Sequence, residues 1–123
     1  MANNKDAAIS FLKLAASGNV DEAYSKFIGQ GFKHHNAFFE GSAESLQAGM
    51  KENAIQNPNK LFELKRAIAE GDFVVTHSYV QQKPNDLGVA VVHIFRFENG
   101  KIMEMWDLGQ PVPKDSPNQN GMF

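Results

Sequence analysis

Apolar residues recur along this chain at two periods, and the change from one to the other divides it. Over residues 5–17, Ile9, Leu12 and Ala16 form one stripe with Ala8, Phe11 and Ala15 beside it, the spacing of an amphipathic helix. Asn3 or Asn4 can cap its start, and Gly18 stands where such a helix stops. A second helix is predicted around Asp21, with Val20, Ala23, Tyr24, Phe27 and Ile28 at helical spacing and Gly29-Gln30-Gly31 as its end. After a short extended segment, Phe32–Asn36, Ser42 can cap a third helix. There Leu46, Met50 and Ala54 recur every four residues before Asn57-Pro58-Asn59 closes it. Beyond that point four strands are expected, at 61–69, 73–82, 89–97 and 101–110. Their turns are Glu70-Gly71-Asp72, Lys83–Gly88 and Glu98-Asn99-Gly100. The tail, 111–123, shows no periodicity and either moves freely or lies across a partner subunit.

Helices followed by a meander of strands make an α+β pattern. The expected fold is a curved antiparallel sheet of about four long strands wrapped on three N-terminal helices. Such a sheet encloses a cone, and its inner face is the natural pocket. No repeat or linker interrupts the chain, so residues 1–123 read as one domain with 111–123 as an irregular tail.

The last hairpin carries the strongest local signal, Val, Ile and Phe on either side of Asn99-Gly100. Inside it sit His93 and Asp107, both costly among apolar residues unless paired or facing a cavity. A two-residue turn sets Phe97 opposite Ile102 and His93 opposite Trp106. A three-residue loop with a bulge at Gly100 sets His93 opposite Met105. One face then carries Val91, His93, Phe95, Met103, Met105 and Asp107. This second register is preferred, because it leaves Arg96 and Glu104 as a cross-strand charge pair on the outer face. A one-residue slip would turn every side chain over.

Composition mostly removes possibilities. A chain of 123 residues that is 42% hydrophobic can bury a substantial core. A net charge of −2, with Lys and Arg dispersed, provides no footprint for nucleic acid. The absence of cysteine excludes disulfides, thiolate metal sites and cysteine nucleophiles. No segment reads as a signal peptide or membrane span, so a cytoplasmic location is expected. Neither a dinucleotide fingerprint, a phosphate-binding loop, a nucleophile elbow nor a His-Glu-x-x-His motif is present. Covalent catalysis, phosphoryl transfer and metal hydrolysis therefore have no support, and no metal is expected.

Among the remaining groups, Asp107 could be a general base, or an acid if an apolar pocket raises its pKa. A strand-end aspartate accepting a backbone hydrogen bond is the plain alternative. His93 could orient Asp107 or donate to a ligand oxygen, or be a core histidine with one satisfied nitrogen. His34 and His35 are neighbours and point opposite ways on a strand, so only one can enter a pocket. His35 with Asn36 is the better candidate, because the next turn begins there. His77 is either a further pocket wall residue or a solvent-side histidine. Met103 and Met105 are expected to line the pocket or the core, where soft side chains fill irregular space, and with Phe95 to form an apolar wall beside Asp107.

Two stretches, Phe32-Lys-His-His-Asn36 and Val92-His-Ile-Phe-Arg-Phe-Glu-Asn-Gly-Lys-Ile-Met-Glu-Met-Trp-Asp107, carry a family resemblance over nearly the whole chain. The chain resembles the SnoaL-like polyketide cyclases, within the nuclear-transport-factor-like (cystatin-like) cone superfamily that also includes ketosteroid isomerases and scytalone dehydratase. The ending Gln110-Pro-Val-Pro113 and its Asn-Gly-Met-Phe123 terminus resemble a bacterial subgroup described as predicted aldol-condensation enzymes. The resemblance implies a strand aspartate at Asp107 as acid/base, a histidine at His93 and no cofactor. Met105 stands where the family pattern often has histidine, and His34-His35-Asn36-Ala37 where it often reads Gln-His-Asn-Pro. The fold hosts catalysts and non-catalytic modules alike.

The expected activity is removal of a proton α to a carbonyl in a small apolar ketone, without cofactor, leading to aldol-type cyclisation or isomerisation. Asp107 is the expected base. His93, Asn36 and His35 are the expected donors to the carbonyl or enolate oxygen. The rival is a binding or assembly module, with Trp106 beside Ile94 and Ile102 on an outward homodimer face. A homodimer is also what the resemblance implies.

Overall fold

The computed structural model describes residues 3–123. Helix α1 runs Asn4–Ala16, α2 Val20–Phe27 and α3 Ala43–Gln56. The strands are β1 Ile28–His34, β2 Leu61–Glu70, β3 Phe73–Gln81, β4 Val89–Glu98 and β5 Lys101–Pro111. Asn3 Oδ1 accepts from Asp6 N at 2.8 Å and Ser42 Oγ from Ser45 N at 3.1 Å, each satisfying a first-turn donor that the helix cannot. The cap at Ser42 is the one the sequence predicts.

The strands form one curved, unclosed sheet in the order β1-β5-β4-β3-β2, with the helices on its inner face. It has five strands, one more than expected. The extended segment at Phe32 begins at Ile28 and pairs parallel to β5, which also makes the sheet mixed rather than wholly antiparallel. Gly29 and Gly31 do not follow α2 as a loop; they lie within β1. The core fills the space between α1, α2 and the sheet with Phe11, Leu12, Val20, Phe95, Phe97 and Ile102. Each of these contributes roughly 1.5–3 kcal/mol on burial.

The hairpin register differs from both expectations. Asn99 and Gly100 have φ of 52° and 78°, the left-handed pair of a two-residue type I′ turn. Glu98 therefore opposes Lys101 and Phe97 opposes Ile102. The register then shifts by one residue, so that Arg96 opposes Glu104, Phe95 opposes Met105 and His93 opposes Asp107. The extra residue is Met103, within the strand and not in the loop. Ile102 takes the inward place expected of Met103 and is fully buried. Ile102 is consequently not part of an outer face with Trp106.

Parallel partner β1 explains where the bulge can sit. A Cβ on Gly29 would collide with Met103 Sδ, and Gly31, at φ 90°, lies against the end of the same side chain. The glycines leave the room into which Met103 turns. β1 itself loses register between Ile28 and Lys33, opposite this point.

The tail returns over its own sheet. The Phe123 ring stacks on His77 with centroids 5.4 Å apart and meets Tyr79 edge-on, while Lys65 Nζ lies 5.4 Å from its centre. The part of the outer surface of β2 and β3 around Lys65, His77 and Tyr79 is thereby covered by the chain's own terminus.

Gly29→Ala is expected to cost about 1–2 kcal/mol in urea unfolding, because the bulge side chain must move. Adding Met103→Ala should recover most of that loss, a coupling that a double-mutant cycle measures directly.

Candidate active site

A cavity of about 250 Å³ lies between the helices and the inner face of the sheet. Its apolar wall includes Leu12, Leu46, Met50, Phe62, Val80 and Val91, and its polar groups are Asn36, Asn53, Lys60, Gln82, His93 and Asp107. Gly49 of α3 lets the Phe39 ring lie against the helix, where a Cβ would overlap it, and the ring forms part of the cavity wall.

Asp107, His93 and Asn36 come together here. Asp107 and His93 are direct cross-strand partners, and Thr76 of β3 continues the row on the far side of His93. Asn36 Nδ2 donates to Asp107 Oδ2 at 2.9 Å. Asn36 Oδ1 accepts from Phe38 N at 2.9 Å, so the amide has one orientation, oxygen to the loop and nitrogen to the carboxylate. Asn36 was expected to hold a ligand oxygen; its observed contact instead positions Asp107.

His34 prepares this arrangement. It pairs with Met105 on the inner face and is buried, so it, not His35, is the inward member of the histidine pair. Its Nε2 lies 2.7 Å from the Glu40 carbonyl, and its Nδ1 accepts from Asn36 N at 3.1 Å. The ring thus ties the loop after β1 to the strand and holds Asn36 in reach of Asp107.

The His93 ring stacks on Phe95 at 5.8 Å, with 17° between planes. Burial pushes its pKa well below the ordinary imidazole value, and the charge of Asp107 only partly opposes this. The imidazole is therefore neutral near pH 7. Its Nδ1 is sealed from solvent without a partner among the described residues, as are Thr76 Oγ1, Ser78 Oγ and Gln82 Oε1 along the same inner surface. Tyr24, beneath Met50, donates to Met50 Sδ at 3.4 Å. Burial, and secondarily the charge of Asp107, raises its phenol well above the ordinary range.

Several expected lining residues lie elsewhere. His35 is on the outer face, where Nε2 meets Glu104 Oε2 at 2.6 Å and the ring stacks on Trp106 at 4.9 Å. Glu104 also accepts from Arg96 Nε at 3.1 Å, and its carboxyl is held below its usual pKa, first by His35 and further by Arg96. His77 is outward as well, beneath Phe123 and hydrogen-bonded to Arg66. Odd-numbered residues of β3 face out because Val74, Thr76 and Ser78 face in. Phe95 and Met105 are inward but fully buried in the core below the cavity. Met103 is the bulge residue. Lys60 and Asn53 were not singled out from the sequence: a lysine before a strand and an asparagine late in a helix carry no periodic signal. Among the described residues no group of three His, Asp or Glu side chains could hold a metal ion, and no helix is long and apolar enough to cross a membrane.

Residues 8–105 match the sequence model of a family described as a SnoaL-like domain. Asp107 lies just beyond that span, so its place in the site rests on the geometry above. A cystatin-fold protein from Novosphingobium aromaticivorans superposes with a TM-score of 0.74 at 18% identity, covering 88% of this chain and 99% of that one. An NTF2-like protein from Cytophaga hutchinsonii gives 0.73 at 15%, covering 90% and 93%. A candidate polyketide cyclase from Bacillus cereus gives 0.73 at 22%, covering 85% and 72%. At these identities the structures share the fold. No curated protein matches the sequence.

His93 should make stability depend on pH. With its folded pKa depressed, the unfolded chain binds more protons below about pH 6.5, so stability falls as pH drops through that value. Thermal unfolding between about pH 7 and about pH 5 should show a smaller decline in His93→Phe than in the native chain.

Proposed function

The chain belongs to the SnoaL-like family, and from that premise we propose that it is a cofactor-independent acid–base enzyme removing a proton α to a carbonyl. The carrying observation is the carboxylate of Asp107 in a largely apolar cavity, oriented by Asn36 and opposed by a neutral His93. In this reading Asp107 takes the proton and the electron pair moves onto the carbonyl oxygen. A neutral imidazole has one N–H. Because Nδ1 is sealed, donation to the developing oxyanion is assigned to His93 Nε2. Such a bond to developing charge is worth about 3 kcal/mol of barrier. The enolate then condenses within the same molecule or is reprotonated elsewhere. We assign the reaction to the cytoplasm, with a small, mainly apolar ketone as substrate.

Asp107→Asn should lower α-deuterium incorporation into a bound ketone in heavy water by about 10²–10⁴-fold while leaving thermal unfolding nearly unchanged. Exchange at the native rate in that variant removes Asp107 from the reaction.

A second role, assembly, is favoured by the outer face. Leu108 is 62% and Phe73 43% exposed there, flanking Trp106 and Ile94. We propose that this part of the sheet, beyond the reach of the tail at Phe123, pairs with a second copy. Light scattering should find the native chain dimeric and Leu108→Lys shifted to monomer.

A further inference from the structure

Of the side chains that line the cavity, two carry charge, Asp107 and Lys60. They are not partners of one another. Asp107 lies on β5 and Lys60 immediately before β2, three strand spacings away, about 14 Å across the sheet. They are displaced along the strands as well: Asp107 and His93 are level with Thr76 of β3, whereas Leu61, next to Lys60, pairs with Gln81. Leu12, Met50, Phe62, Val80 and Val91 contribute the apolar wall.

Asp107 already has a donor in Asn36. Lys60 has no counter-charge: its Nζ is hydrogen-bonded to Asn53 Oδ1, a neutral acceptor, and no carboxylate lies within ion-pair distance among the described residues. It is partly buried, and desolvation lowers its pKa. A partly buried ammonium is costly to keep unless something anionic meets it. A lysine needed only to hold Asn53 could have been replaced by a neutral donor.

We propose that Lys60 is an anion anchor and that the ligand is an amphipathic oxo-acid, its carboxylate on Lys60, its apolar body along the cavity and its carbonyl at His93 and Asp107. The placement of the carbonyl rests on the acid–base reading above, whereas the anchor does not. The ligand class is correspondingly narrowed from simple ketones to those with an acid group separated from the carbonyl by several carbons. Lys60 would govern which ketone enters, without touching the reacting atoms.

Calorimetric binding of octanoate and octanol, which share a chain and differ in charge, tests the anchor without needing turnover. The native chain should prefer octanoate by about tenfold or more, as a charge-assisted bond allows. Lys60→Met should bring octanoate down to the level of octanol and leave octanol unchanged, and Lys60→Arg should keep most of the preference. An unchanged preference in Lys60→Met, no preference in the native chain, or no binding of either compound overturns the proposal. The two readings fail separately. A Lys60-dependent preference in a protein that exchanges no ketone leaves the anchor and removes the acid–base reading, while Asp107-dependent exchange with no role for Lys60 does the reverse.

Discussion

At Met103 strand β5 carries one residue more than β4 opposite it, and the inner face of the molecule depends on that excess. Up to Ile102 the hairpin follows the register of its tight Asn99-Gly100 turn. Continued unchanged, that register would set Asp107 opposite Val92 on the outside and Trp106 opposite His93 within. One inserted residue reverses the alternation, so that Ile102, Met105 and Asp107 all face the helices. The insertion is tolerated because the neighbouring parallel strand has glycine where the bulge side chain turns. Backbone geometry at one position thus decides whether the chain has a carboxylate in its cavity.

A carboxylate so placed must still be held. The holding is done through a relay of neutral groups: the Glu40 carbonyl and Asn36 N–H meet the two nitrogens of His34, and the Asn36 amide reaches Asp107. None of these adds charge to the cavity. His93, directly across the strand, is also neutral because burial outweighs the pull of Asp107. The result is an acid group poised among dipoles rather than in an ion pair, which leaves it available to a ligand.

The two faces of the sheet divide the polar residues accordingly. The outside gathers the charged and stacked groups, His35, Trp106, Glu104, Arg96 and Glu98, with the tail covering His77 and Tyr79. These groups can be near water, so their pairing costs little desolvation. The inside carries two charged groups, Asp107 and Lys60, beside neutral polar groups, several of them without a hydrogen-bond partner among the described residues.

Local signals were sufficient for much of this. Helical spacing, the Ser42 cap, the four long strands and the place of the last hairpin depend on residues a few positions apart and could be read along the chain. So could the oddity of His93 and Asp107 among apolar neighbours, and their meeting on one face. The preferred three-residue loop at Glu98-Asn99-Gly100 and the omission of β1 as a strand could not be corrected from such local signals. Other features required contacts between distant segments. Which of His34 and His35 faces inward depends on how β1 docks beside β5, and the site of the bulge depends on glycines over seventy residues earlier. The exclusion of His77 from the cavity follows from the packing of Val74, Thr76 and Ser78, whose alternation has no absolute sense until a sheet face is buried. Lys60 acquires meaning only when α3, β2 and β5 are seen to line one space. The sequence by itself determined the elements and the chemical groups at hand; the tertiary structure decided their direction, because direction is set by what packs behind each strand.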